Sequence, residues 1–284
     1  MTEYYIPSIG SGPGSQPTET DGAELDILQL PSEMSTFAMP DLPEAEEAAG
    51  LVDGISALDK LQEALGRFGR VSPEIDISDL DEENRALIDQ VLGEGEVSAV
   101  YSNSYQARVQ ESVLAGVWRV KYLDEMGALV RDTIEVGPMP DLVGRHTFRQ
   151  AAHHIGADDV QIPEGVLNAP PLISEINDKV AGYRPGMPPH VINLTLLPQT
   201  EQDLAFLSEL LGQGPVTILS RGYGNCRITS TATEHVWWVQ YFNSQDANIL
   251  NTIEIGGVPE VACAASEDIR DSAERLSEIM EVYR

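Results

Sequence analysis

Up to Asp59 the chain contains no lysine or arginine, and its first basic residue is Lys60. A secretory or twin-arginine leader needs a basic segment ahead of its apolar run. The expectation is therefore a protein not exported by those routes on its own, with the cytoplasm as its simplest address. Cysteine is equally scarce. Only Cys226 and Cys263 occur, which excludes a disulfide framework of the small secreted kind. Neither a CxxC nor an HExxH spacing is found, so no metal and no other cofactor is expected. Apolar runs are short and none approaches the roughly 18 residues of a membrane span, so membrane insertion is not expected. Positive charge is the remaining shortage: 17 Lys and Arg against 46 Asp and Glu give a net charge of −29. Such a surface repels nucleic-acid backbones and anionic lipid and favours a basic partner.

What is present suffices for a substantial core, since 42% of 284 residues are apolar. Residues 1–50 read as a largely disordered acidic tail, because SIGSGPGSQPTETDG and PSEMSTFAMPDLPEAEEAAG offer too little apolar surface to offset the entropy of ordering. Leu51, Ile55, Leu58, Leu61, Leu65 and Phe68 then recur at steps of three and four, which predicts an amphipathic helix.

The dominant signal is an internal repeat. LGEGEV at 92–97 matches LGQGPV at 211–216, GVWRVKY at 116–122 matches HVWWVQY at 235–241, and DTIEVGPMP at 132–140 matches NTIEIGGVP at 251–259. All three pairs share one offset of 119 residues. Each copy opens with a short apolar strand (PEIDIS, VINLT) and continues into a helix with acids in its first turn (DEENRALIDQVLG, TEQDLAFLSELLG). Glycine ends that helix, β-rich segments follow, and a final helix closes the copy, with Ser266 as the expected N-cap of the second. The reading is an α+β protein of two tandem β-α-β-β-β-α modules, each an antiparallel sheet with helices packed on it. The first repeat with its leading helix covers 51–160 and the second 191–284. Between them, 161–190 carries six prolines and reads as a linker.

Glycine clusters at 93–95 and 222–224 do not follow the strand–glycine–helix order of a phosphate loop, so they read as caps and turns. His146 and His153 stand seven residues apart, about 10 Å along a helix, too far to share an ion. Trp118, Val120 and Tyr122 recur as Trp237, Val239 and Tyr241, alternate with period two, and so read as a structural core face common to both copies. What the second copy has and the first lacks is more informative: Cys226 for Ala107, His235 for Gly116 and Trp238 for Arg119. With Arg227 these form the candidate partner-binding set. Trp238, on the opposite face from Trp237, covers the far side of the sheet, under a helix or at an interface. No catalytic residue is assigned; a nucleophile–base pair of Cys226 and His235 with Glu234 requires a proximity that spacing alone does not give.

RGYGNCRITSTATEHVWWVQYFNSQDANILNTIEIGGVPEVACAA, residues 221–265, resembles the C-terminal region of the HupH/HyaF/HoxQ family of hydrogenase expression and formation proteins. LGEGEVSA, ESVLAGVWRVKYLD and DTIEVGPMP of the first copy resemble the matching earlier region, and GSGPGSQP and FAMPDLPE resemble its N-terminal part. The resemblance implies a non-enzymatic cytoplasmic chaperone or scaffold in maturation of an uptake [NiFe] hydrogenase. Its implied partners are the iron–sulfur small-subunit precursor, held before twin-arginine export, and other maturation factors. Two alternatives are a redox or cluster-handling factor using Cys226 and a structural interaction subunit.

Overall fold

The computed structural model describes residue 48 and residues 50–69, 74–156, 160–222 and 224–283. The expected tail over 1–50 lies, apart from Ala48 and Gly50, outside the described residues. Copy one begins with α1 (Val52–Gly66), whose apolar stripe buries Leu58, Leu61 and Leu65. Strand β1 (Ile75–Asp76) and α2 (Glu82–Leu92) follow. The Asp81 carboxylate accepts from Asn84 N and caps α2, which Gly93 terminates at φ 54°. Four strands come next, β2 (Val97–Ser102), β3 (Gln106–Glu111), β4 (Val117–Leu123) and β5 (Leu129–Val136), and then the short α3 (Asp141–His146).

Copy two repeats the plan with α4 (Ala169–Gly182), β6 (His190–Asn193), a 3-10 turn at Leu194–Leu196 and α5 (Glu201–Leu211). Strands β7 (Val216–Ser220), β8 (Asn225–Ser230), β9 (Val236–Phe242) and β10 (Asn248–Ile255) lead through a 3-10 turn at Glu260–Ala262 into α6 (Ser266–Val282). Each copy therefore has four strands after its helix, one more than the sequence pattern predicts. The closing helix of copy one is a six-residue piece, and Ser266 is the first residue of α6, with Ala265 at the N-cap.

Residues 161–190 are not a linker. Their prolines 170 and 171 fall in the first turn of α4, where a missing N–H breaks no helical hydrogen bond. The helix is anchored by Asp203, which is fully buried. Its Oδ1 accepts from the backbone N of Leu167, Asn168 and Ala169, while its Oδ2 closes a capping box with Thr200 on α5. Against the opposing effect of burial, these N–H donors hold the Asp203 carboxyl well below the usual carboxylate range. One side chain thus fixes the starts of two helices.

Nor do the copies form separate sheets. Among the described residues all ten strands join in one antiparallel sheet of order β1-β5-β4-β3-β2-β7-β8-β9-β10-β6, and the copies meet where β2 pairs with β7 from Val97↔Ser220 to Tyr101↔Val216. The trailing segments are exchanged across this join. Beyond α3, the first copy crosses over: Ala152 N donates to Ala232 O and Glu234 N to Ala152 O, both at 2.8 Å. Ile155 then packs in the core beneath α4. Reciprocally, α6 of the second copy packs with α1 and α2, burying Ile269, Leu276 and Met280 in the core of copy one. A third core lies on the opposite sheet face and draws residues from both copies, covered by Leu142, Val143 and Phe148 of one crossover and Val258, Val261 and Ala262 of the other.

Candidate functional site at the seam between the copies

The structure scatters the four residues of the candidate partner-binding set. Cys226 is 2% exposed on the shared core face, the same face that carries buried Trp118, Val120, Trp237 and Val239, with Tyr122 and Tyr241 packed at its margin. Burial pushes its thiol up to about 12, against a hydrogen bond from Tyr241 and with a further contribution from Glu254. A nucleophilic or redox cysteine needs the opposite, a lowered pKa and access. Arg227 points to the other face, half-buried, with its guanidinium carbon 5.3 Å from the Phe242 ring centroid. Trp238 lies in the core beneath α4 and α5, its indole Nε1 donating to Asn251 Oδ1 at 2.5 Å. Cys226 is therefore corrected from contact surface to interior, and Trp238 takes the under-a-helix alternative and likewise leaves the candidate contact set.

His235 behaves differently. It adopts φ 63°, where its counterpart Gly116 has φ 75°. A Cβ on Gly116 would stand 2.3 Å from Ile269 Cγ1 of α6, so copy one has no room for a side chain there. Among the described residues copy two has no equivalent long helix at that point, and a histidine occupies the space at a backbone cost of about 1–3 kcal/mol. Its ring lies 4.7 Å from that of Tyr183, just after α4, and 5.8 Å from that of Phe148, which stands edge-on to Trp237 at 5.0 Å. Burial lowers the His235 pKa, against the Glu234 carboxylate beside it.

Glu234 bridges two imidazoles, 2.6 Å from His153 Nδ1 and 3.3 Å from His235 Nε2. His153 and Phe148 come from the first copy's crossover, Tyr183 from the segment after α4, and Glu234 and His235 from the β8–β9 connection. A separate groove of about 240 Å³ is close in sequence to this cluster but lined by none of its side chains. It is bounded by Asn103, Gln150, Gln213, Thr147 and Thr231 among others, with no charged residue among those lining it. Among the described residues no set of three or more His, Cys, Asp or Glu is placed to hold a metal ion. The seam thus offers aromatic faces, imidazoles and side-chain amides at a junction of both copies, a composition suited to contact with another chain. The Gly116/His235 difference pointed to this place. Phe148 and Tyr183 were missed, and His153 was weighed only as a metal ligand, because segments distant in sequence meet there only through the exchange.

One expected outcome follows for the cysteine. Ala107 fills the equivalent position and is fully buried, so Cys226→Ala should leave activity in cells unchanged and melting within a few degrees. Loss of activity in cells by a folded Cys226→Ala protein would restore the redox reading.

Comparison with known proteins agrees with the repeat. The family model described as HupH hydrogenase expression protein, C-terminal conserved region, matches residues 52–155 and 166–283. The second match takes in α4, in keeping with its place in copy two. The chain is 49% identical over 282 residues to the hydrogenase expression/formation protein HoxQ of Cupriavidus necator, covering 99% of this chain and 98% of that one. It is 47% identical over 287 residues to the hydrogenase expression/formation protein HupH of Rhodobacter capsulatus, covering all of both chains. It is 33% identical over 288 residues to the hydrogenase-1 operon protein HyaF of Escherichia coli, covering 98% of this chain and 96% of that one. Similarity of this extent, carried through both copies and the exchanged segments, makes the chain a member of the hydrogenase expression/formation protein family that includes HupH, HoxQ and HyaF.

Proposed function

We propose that this protein is a non-enzymatic maturation factor that holds the iron–sulfur small-subunit precursor of a [NiFe] hydrogenase in the cytoplasm before twin-arginine export. The observation that carries the reading is similarity over essentially the whole chain to proteins named for hydrogenase expression and formation. Two further features support it. The net charge of −29 suits a precursor that carries a basic signal segment. Both cysteines lie in copy two, and burial pushes their thiols up, to about 12 for Cys226 and about 11 for Cys263, which argues against redox use. No described helix is long and apolar enough to cross a membrane.

Pull-down of the precursor by the tagged full chain, at low and at high ionic strength, tests the proposal. Retention is expected at low salt and should weaken as salt rises or when residues 1–50 are removed, since exposed charges are screened beyond about 8–10 Å at physiological ionic strength. Retention that ignores both changes sinks the electrostatic part. No retention under either condition sinks the partner, and stable co-purification with active hydrogenase favours a structural subunit instead.

A further inference from the structure

Glu111 ends β3 next to the first turns of α6, and only 8% of its surface reaches solvent. Its Oε1 accepts from Gly116 N at 3.2 Å, within the loop that joins β3 to β4. The exchanged helix is tied to the same loop: Ser272 Oγ donates to Ala115 O at 3.1 Å, Arg275 Nη1 donates to Val113 O at 3.2 Å, and Ile269 packs on Gly116. The charges acting on Glu111 are Glu96, just ahead of β2, and Asp268, in the first turn of α6. Cys263, on the approach to α6, also lies within its influence, with burial pushing that thiol up to about 11. The named charges that act on this carboxylate are thus negative, while the Arg275 guanidinium of α6 is bound to Val113 O on the same loop.

The repeat supplies an internal control. Ser230 holds the position equivalent to Glu111 and is fully buried. Its hydroxyl accepts from Val216 N at 2.9 Å and donates to Val216 O at 3.1 Å. A small neutral group thus satisfies the backbone at this point in the fold. Copy one instead places an ionisable group there, at the junction where an element of copy two docks.

We propose that Glu111 is a proton-operated latch on α6: with its carboxyl protonated the helix seats on copy one, and ionisation loosens its first turns. Loosening uncovers Ile269 and Leu114, both fully buried when the helix is seated. Burial, with Glu96 and Asp268 adding to it and the Gly116 and Val97 N–H donors opposing, pushes the carboxyl up to about 7. A raised folded-state pKa means that the stabilisation is complete below the ordinary carboxylate range of about 4.3 and is lost as pH rises through about 7. The latch therefore operates between mildly acidic and neutral pH.

Hydrogen exchange of the α6 amides in the full-length protein, corrected for the intrinsic chemical rate, tests this. In the wild type the opening constant should rise by up to about tenfold per pH unit between roughly pH 5 and 7 and then level off. Glu111→Gln should abolish the rise, and Glu111→Ser, which copies the second repeat, should do the same should the glutamine variant fail to fold. Asp268→Asn should move the midpoint to lower pH. The same pH dependence in Glu111→Gln or Glu111→Ser overturns the latch. So does a shift of the α4 amides in step with those of α6, which would place the effect on the whole fold instead of on this helix.

Discussion

Deleting residues 266–284 is expected to unfold copy one, even though the deleted helix belongs to copy two. Ile269, Leu276 and Met280 are fully buried against α1 and α2. At about 1.5–3 kcal/mol for each such side chain, their loss removes roughly 5–9 kcal/mol. That is comparable with the entire stability of an ordinary domain, about 5–15 kcal/mol. The loss is compounded because Leu58, Leu61 and Leu65 of α1 face this core and would be left partly uncovered. Thermal melting followed by circular dichroism should show no cooperative transition assignable to copy one, and a dye for exposed apolar surface should bind. The exchange extends the prediction to a split chain. Residues 50–160 and 161–284 expressed separately should each fail to fold, whereas co-expression should recover a complex that melts cooperatively. A stable, cooperatively melting 50–160 fragment would show that the crossovers are incidental to the cores.

Much of this architecture was legible in the sequence, and the reasons for the exceptions are physical. The 119-residue offset identified equivalent positions, and the three- and four-residue spacing from Leu51 to Phe68 located α1. Gly93 and Gly212 end their helices at φ 54° and 61°, where a stop was expected. Repeat comparison states which residues are equivalent, however, and not which copy each segment packs against. The exchange of α6 for the 147–155 segment leaves no mark on the offset. The linker assignment failed because proline was read as a breaker throughout, whereas Pro170 and Pro171 occupy the first turn of a helix, where proline is tolerated. At the site, difference between the copies was the right signal with mixed meaning. His235 replaces a glycine because α6 is missing from that place in copy two. Cys226 replaces another small buried residue, and Trp238 belongs to a paired substitution that a single-position comparison overlooks.

That pair yields the second large effect, from Asp132→Ala. In copy one Arg119 Nε and Nη2 donate to Asp132 Oδ1 and Oδ2 at 2.6 and 2.7 Å, and Nη1 reaches Asp89 Oδ1 at 2.5 Å. Asp132 is fully buried and Arg119 is 7% exposed. Copy two places Trp238 and Asn251 at the equivalent positions and joins them by a neutral hydrogen bond at 2.5 Å. The fold therefore accepts either an ion pair or a neutral pair there, but not half of one. Removing the Asp132 carboxylate leaves a buried guanidinium held only by the half-exposed Asp89, and breaking a buried pair in this way costs about 3–5 kcal/mol. Denaturant unfolding should report that loss for Asp132→Ala, with an unchanged slope if the denatured state is unaffected. Replacing both partners by apolar residues, Arg119→Met with Asp132→Leu, should recover most of it, because no charge is then left buried and unpaired. A double variant as unstable as the sum of its single variants would mean that the two residues act independently, each through its own packing. Recovery in the double variant would instead show that copy one needs this pair satisfied more than it needs it charged, as Trp238 and Asn251 already demonstrate in copy two.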